Sequence, residues 1–125
     1  MNMKLELVNV PVSDVEQAIE FYTRIGFNKD QDHTITESLR FVQLTPPGSA
    51  CSISVGVGLS DAQPGSVKGL QMVVDSAEEA RQHMLDAGVE VGEIDVQPWG
   101  SFVYFADPDG NTWALQQLPD YSQQS

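Results

Sequence analysis

The apolar residues of this chain recur first with a strand period and then with a helix period. Between Leu5 and Val12, valines take every second place from residue 8 onwards, which predicts a strand. Ser13 follows, with Glu16 three residues further on, and these two are predicted to form a capping box at the start of a helix. Gly26 is predicted to end that helix. Three extended segments are then predicted near residues 27–31, 38–44 and 50–57.

The second half of the chain has the same order of patterns. Residues 70–74 form an apolar run that predicts a strand, and Ser76 with Glu79 predicts a second capping box. Gly88 is predicted to end the second helix. Three extended segments follow, near residues 89–96, 101–106 and 111–118.

A shift of 62 residues superimposes the second half on the first, which indicates an internal duplication. The matched pairs are Val12 with Val74, Glu16 with Glu78, Ala18 with Ala80, Gly26 with Gly88 and Phe27 with Val89. Residues 45–48 (TPPG) likewise match residues 107–110 (DPDG), with proline and glycine at the same places of a turn. The sequence predicts a single α+β domain, residues 1–125, of two tandem βαβββ units: unit 1 at about 4–58, a linker at about 59–68, unit 2 at about 69–118 and a tail at 119–125.

Composition and charge limit the possible partners. The 125 residues include 41% hydrophobic residues, which suits one domain with a buried core. Eighteen acidic and six basic residues give a net charge of −12, which argues against nucleic acids and anionic membranes as partners. The charge favours either attraction of a cationic ligand or plain solubility. Because Cys51 is the one cysteine and no apolar run is long enough to cross a bilayer, we expect a cytoplasmic protein.

The two βαβββ units, together with a few local motifs, resemble the vicinal oxygen chelate superfamily, which includes glyoxalase I, extradiol dioxygenases and bleomycin-resistance proteins. The motifs are the end of the first helix, Phe21-Tyr22 and Gly26-Phe27, and the late turn at residues 105–111 (FADPDGN). The resemblance covers residues 4–118 and implies that the curved mixed sheets of the units enclose a cup. In metal-using members, ligands on the first and last strands hold a divalent ion that acts as a Lewis acid.

The resemblance also implies where those metal ligands would lie in this chain. The positions are Leu7 and its repeat partner Gly69 on the first strands, and Ser52 and Ala114 on the last strands. Leucine and alanine have no donor atom, glycine has no side chain, and a lone serine hydroxyl is a poor ligand. We therefore expect no metal and no other cofactor at these positions.

Other reactive side chains fit structural roles better. His33 lies in a polar stretch that predicts an exposed loop or edge strand, and His83 is predicted to be a half-buried helix residue. Cys51 is predicted to be a small core residue rather than a nucleophile. Asp107 and Asp109 lie in a turn, where aspartate bonds to its own backbone. No pair of carboxylates and no Ser-His-Asp set is indicated.

The residues expected to face the cup are small, apolar or neutral and polar. Alternation along the first and last strands of each unit predicts a wall suited to a small molecule held by amides and hydroxyls, or groups that bond only to one another. Aromatic residues complete the wall, although alternation does not decide which face of their strands turns inward, and Trp113 is predicted to lie in the core. The predicted ligand-binding residues are Leu7, Asn9, Phe41, Ser52, Ser54, Gln71, Trp99, Tyr104, Ala114 and Gln116.

Three functions are compatible with these features. The first is a metal-free protein that sequesters a small molecule, as the resemblance to the bleomycin-resistance branch implies, with an antibiotic or metabolite, possibly cationic, as ligand. The second is a glyoxalase-like lyase or isomerase, or a dioxygenase-related enzyme, with non-standard active-site residues, so the sequence leaves open whether the protein is an enzyme. The third is a regulatory domain with an empty cup. The resemblance further implies a homodimer.

Overall fold

The computed structural model describes residues 1–120, and it contains two helices and two four-stranded sheets. The first half of the chain forms β1 (Leu7–Asn9), α1 (Val15–Arg24), β2 (Asn28–Thr36), β3 (Leu39–Thr45) and β4 (Ser52–Val57). The second half forms β5 (Leu70–Val74), α2 (Ala77–Asp86), β6 (Asp95–Gln97), β7 (Gly100–Ala106) and β8 (Thr112–Gln117). The predicted βαβββ order and the α+β class are confirmed. The predicted tail, 119–125, lies outside the described residues from residue 121 on.

Each sheet is mixed and has the same strand order. The first is ordered β1-β4-β3-β2 and the second β5-β8-β7-β6, with the first and last strands of each unit paired in parallel. Contacts divide the chain into a first unit of residues 1–67 with 107–111, and a second unit of residues 68–106 with the described residues from 112 on. The turn between β7 and β8 is thus part of the first unit.

The helices begin close to the predicted residues, with one difference. Ser76 is the N-cap of α2 and accepts a hydrogen bond from the amide of Glu79, as predicted. The N-cap of α1 is Asp14, which accepts from the amide of Gln17, so the predicted capping box that starts at Ser13 is wrong. Among residues 1–120, no helix is both long and apolar enough to cross a bilayer.

Ser13 contacts the late turn instead of capping the helix. Its hydroxyl donates to Asp109 at 2.6 Å, and its amide donates to the same carboxylate at 3.1 Å. Asp107 in the same turn is only 5% exposed and accepts four hydrogen bonds: from the hydroxyl of Tyr22, from the amide of Asp109, and from the amide and side chain of Asn111. The turn is therefore a buried polar centre of the first unit, and its aspartates do more than bond to their own backbone.

The two units do not keep one offset over their whole length. The helices are 62 residues apart, as predicted, but Leu7 pairs with Ser52 in the first unit, whereas Gln71 pairs with Ala114 in the second. If β1 and β5 keep the helix offset, β8 follows β4 by only 60 residues, and the counterpart of Ser54 is Ala114. The connection between β3 and β4 spans residues 46–51, and that between β7 and β8 spans 107–111, which is one residue shorter. A gapless offset of 62 is therefore wrong for the last strand.

Candidate functional site

The second unit contains a cavity of about 670 Å³ on the face of its sheet opposite α2. Its lining includes Gln71, Trp99, Phe102, Tyr104, Thr112 and Ala114. Three strands contribute these residues, β5, β7 and β8, because alternate side chains of neighbouring strands point to the same face. We call this space the second-unit cavity.

The strand alternation of β7 determines the aromatic side of the cavity. Val103 and Phe105 are 0% and 4% exposed and lie in the core, where the ring of Phe105 stacks on Trp113. Phe102 and Tyr104 lie on the opposite face, with nearly parallel rings whose centroids are 6.0 Å apart. The predicted core position of Trp113 is confirmed. Sequence reasoning missed Phe102, although its spacing from Tyr104 was the signal that could have found it.

A tyrosine–carboxylate pair lies at one side of the cavity. The hydroxyl of Tyr104 donates to Asp95 at 2.7 Å, and the other oxygen of Asp95 accepts from the side chain of Gln97 at 2.9 Å. The hydrogen bond to Asp95 is the main cause that raises the pKa of Tyr104, with burial and the negative charge of Asp95 adding to it. The phenol is therefore held in its protonated form. Nothing in the sequence around Asp95 indicated this contact.

An amide chain crosses the second-unit cavity from β5 to the turn before β7. The side-chain nitrogen of Gln71 donates to the side-chain oxygen of Gln116 at 2.5 Å. The side-chain nitrogen of Gln116 donates in turn to the backbone carbonyl of Trp99 at 2.9 Å. Gln116 is 8% exposed, whereas the indole of Trp99 is 59% exposed.

The equivalent face of the first unit is polar rather than aromatic. Asn9 donates to the hydroxyl of Ser54 at 3.1 Å, and Gln43 donates to the hydroxyl of Ser52 at 3.2 Å. Thr45 lies 2.6 Å from the Ser52 hydroxyl and donates to Asp30, which lowers the pKa of that carboxyl. These polar groups bond chiefly to one another. Leu7 and Phe41 lie on the same sheet face by strand alternation.

The residues at the family's metal positions do not fit a divalent ion. Leu7 lies opposite Ser52 in the first sheet, and Gly69 donates its amide to Thr112 in the second. Taking Ser54 as the true counterpart of Ala114 exchanges one serine for another and adds no carboxylate or imidazole. Among residues 1–120, no group of three or more His, Cys, Asp or Glu side chains could hold a metal.

The remaining candidate side chains lie away from the second-unit cavity. His33 is on the exposed edge strand β2 and lies 3.0 Å from the side-chain oxygen of Gln31, in agreement with the predicted edge position. His83 is exposed on α2 rather than half-buried. Cys51 is half-buried just before β4.

A family model agrees with this architecture. The model described as "Glyoxalase/Bleomycin resistance protein/Dioxygenase superfamily" matches residues 4–115. Among curated proteins, the chain is 28% identical over 122 residues to the uncharacterized protein YetH of Bacillus subtilis strain 168, covering 94% of this chain and all of YetH.

Two solved structures from Streptomyces sp. CB03234 are similar to the chain. TnmS3, described as an antibiotic binding protein, is 32% identical with a TM-score of 0.85, and the match covers 94% of this chain and 98% of that one. A glyoxalase/bleomycin resistance protein is 33% identical with a TM-score of 0.80, covering 91% of this chain and all of the other.

Proposed function

Because the chain belongs to the glyoxalase/bleomycin resistance protein/dioxygenase superfamily, we propose that it is a binding protein whose second unit holds an aromatic, positively charged small molecule without a metal ion. The observation that carries the proposal is the second-unit cavity, which has aromatic side chains and a few neutral hydrogen-bonding groups around about 670 Å³. Such a lining is typical of small-molecule sites, in which apolar contact gives affinity and a few polar groups fix the orientation.

The charges favour a cation. Asp95 places a carboxylate beside the ring of Tyr104, and the exposed indole of Trp99 offers a second aromatic face. Aromatic faces attract cations, and a nearby carboxylate adds to that attraction. The net charge of −12 raises the local concentration of cations around the whole chain.

The side-chain chemistry supports binding over turnover. The raised pKa of Tyr104 keeps its proton on the phenol, where it donates to Asp95, and this suits neither a general base nor an easily ionised acid. The leucine, glycine, serine and alanine at the family's metal positions supply no donor set for Lewis-acid chemistry. The similarity to an antibiotic binding protein supports an antibiotic or a related metabolite as the sequestered ligand.

Proflavine, a planar aromatic cation, provides the test. We expect it to bind in buffer that contains EDTA and to quench tryptophan fluorescence, because Trp99 is exposed beside the cavity. Asp95→Asn removes the charge with little change of shape, so it is expected to weaken binding by about five-fold, the effect of roughly 1 kcal/mol. Fluorescence titration measures both affinities.

Two controls complete the proflavine experiment. Asp61→Asn removes one charge from the exposed segment between the units and should leave the affinity nearly unchanged. Anthracene-2-carboxylate, an anion of similar size, should bind more weakly than proflavine. Binding that appears only after addition of a divalent metal, or a stronger affinity for the anion, would refute the proposal.

We also propose a homodimer. Met1, Met3 and Leu5 alternate ahead of β1 and are 107%, 86% and 71% exposed, so one side of this segment is apolar and unprotected. We expect sedimentation velocity at tens of micromolar to give twice the mass of the chain. Leu5→Glu should shift the equilibrium toward single chains, whereas Lys4→Glu, one position along and on the other side, should not. A single-chain species in the unmodified protein would contradict this prediction.

A further inference from the structure

Gln116 is buried in the second unit and uses both ends of its amide within the protein. Its oxygen accepts from Gln71 at 2.5 Å, and its nitrogen donates to the carbonyl of Trp99 at 2.9 Å. With 8% of its surface exposed, it has little area left for a ligand. The prediction that Gln116 itself orients a ligand therefore fits the structure less well than a role in holding its two neighbours.

Trp99 is held in a turn that offers the backbone little freedom. Gln97 pairs with Gly100, so Pro98 and Trp99 form the two-residue connection between β6 and β7. Gly100 has a φ of +146°, and a Cβ there would lie 2.7 Å from the carbonyl of Gln117 and about 3.1 Å from the Gln116 side chain. A side chain at position 100 would collide with both, so the turn and the Gln116 amide fit together only with glycine there.

Gln71 is exposed at the other end of this chain of amides. Its nitrogen is bonded to Gln116, and its side-chain oxygen has no partner among residues 1–120. The indole N–H of Trp99 is likewise unbonded among these residues. A ligand in the second-unit cavity can therefore reach an acceptor on Gln71 and a donor on Trp99, which are linked through Gln116.

We infer that Gln116 is a positioning residue that couples the amide of Gln71 to the Trp99 turn, so that a ligand bonded to Gln71 also fixes the indole above it. The ligand part of this inference rests on the proposed function of the second-unit cavity. The coupling itself is a property of the free protein, because both hydrogen bonds are present without a ligand. The reason is that a primary amide donates at one end and accepts at the other, so a change at either neighbour alters the bond to the other.

Trp99 can report on the coupling without any ligand. The sequence has two tryptophans, and Trp113 is 4% exposed in the core, so a Trp113→Phe background leaves Trp99 as the reporter. In this background Gln116→Leu removes both hydrogen bonds at similar volume. Gln116→Glu keeps the acceptor for Gln71 and removes the donor to Trp99, and it serves if the leucine variant fails to fold.

Both Gln116 variants are expected to shift the Trp99 emission to longer wavelength and to raise its acrylamide quenching constant. The rise is at most about 1.7-fold, which is full exposure divided by the 59% exposure of Trp99. Gln71→Leu should give a smaller rise in the same direction although Gln71 makes no hydrogen bond to Trp99. Gln82→Leu, the same change on the exposed surface of α2, should leave the quenching constant unchanged.

Folded Gln116 variants, or a folded Gln71→Leu variant, with unchanged Trp99 quenching would overturn the inference. Urea unfolding of each variant separates this signal from a loss of stability, since a residue that only supports the fold would change the unfolding midpoint and leave the native-state quenching as it was. Failure of proflavine to bind the unmodified protein would refute the proposed function and leave the quenching result intact, so the two can be told apart.

Discussion

Replacing Asp107 by alanine is expected to lower the free energy of unfolding by about 3–5 kcal/mol, the largest effect we predict for stability. Asp107 is 5% exposed and accepts four hydrogen bonds within the first unit. Two of its partners, Tyr22 and Asn111, are fully buried, so their polar atoms would lose a partner where water cannot replace it. Urea unfolding followed by circular dichroism measures the loss.

Two variants place this result on a scale. Asp109→Ala, two residues along the same turn, removes the partner of an exposed serine and should cost less than about 1 kcal/mol. Tyr22→Phe removes one of the four bonds to Asp107 and should cost about 1–2 kcal/mol. A loss for Asp107→Ala no larger than that for Asp109→Ala would show that the buried network does not hold the turn.

The largest expected effect on binding comes from Trp99. Trp99→Ala should weaken proflavine binding by about 10- to 100-fold, because large aromatic side chains commonly dominate the affinity of a site. The free energy of unfolding should change by less than about 0.5 kcal/mol, since the indole is 59% exposed and packs little in the free protein. Isothermal titration calorimetry measures the affinity where the fluorescence signal is lost.

Val96→Ala is a suitable control for Trp99→Ala. Val96 is 75% exposed on β6, and its neighbours Asp95 and Gln97 alternate to the opposite face of that strand. Its truncation should leave proflavine affinity within about two-fold. Equal affinities for the Trp99→Ala variant and the unmodified protein would mean that the ligand does not contact the aromatic residues of the second-unit cavity.

The two units have diverged in chemistry while keeping one architecture. The first unit has a face of serine, threonine and amide side chains that bond to one another, and the second has Phe102 and Tyr104 on the equivalent strand. Duplication preserved the strand order and the core pattern, because those are needed to bury apolar surface in both units. The exposed sheet faces were free to change, and we propose that only the second took on ligand binding.

The sequence by itself determined the order of elements, the duplication and the absence of donors at the family's metal positions. These features depend on local residue types: periodic apolar residues, the glycine that ends each helix, and side chains such as Leu7 and Ala114 that have no donor atom. Each is readable from neighbours a few residues apart, so no long-range pairing was needed.

Only the tertiary structure decided which residues meet. Both faces of β7 carry aromatic residues, so alternation could group Phe102 with Tyr104 but could not tell which pair lay in the core. The offset of 60 for the last strand came from a connection one residue shorter, and the bond of Gln116 to Trp99 joins strands whose register that connection sets. Register and face depend on pairing between distant segments, and a local pattern of alternating residues is compatible with more than one such pairing.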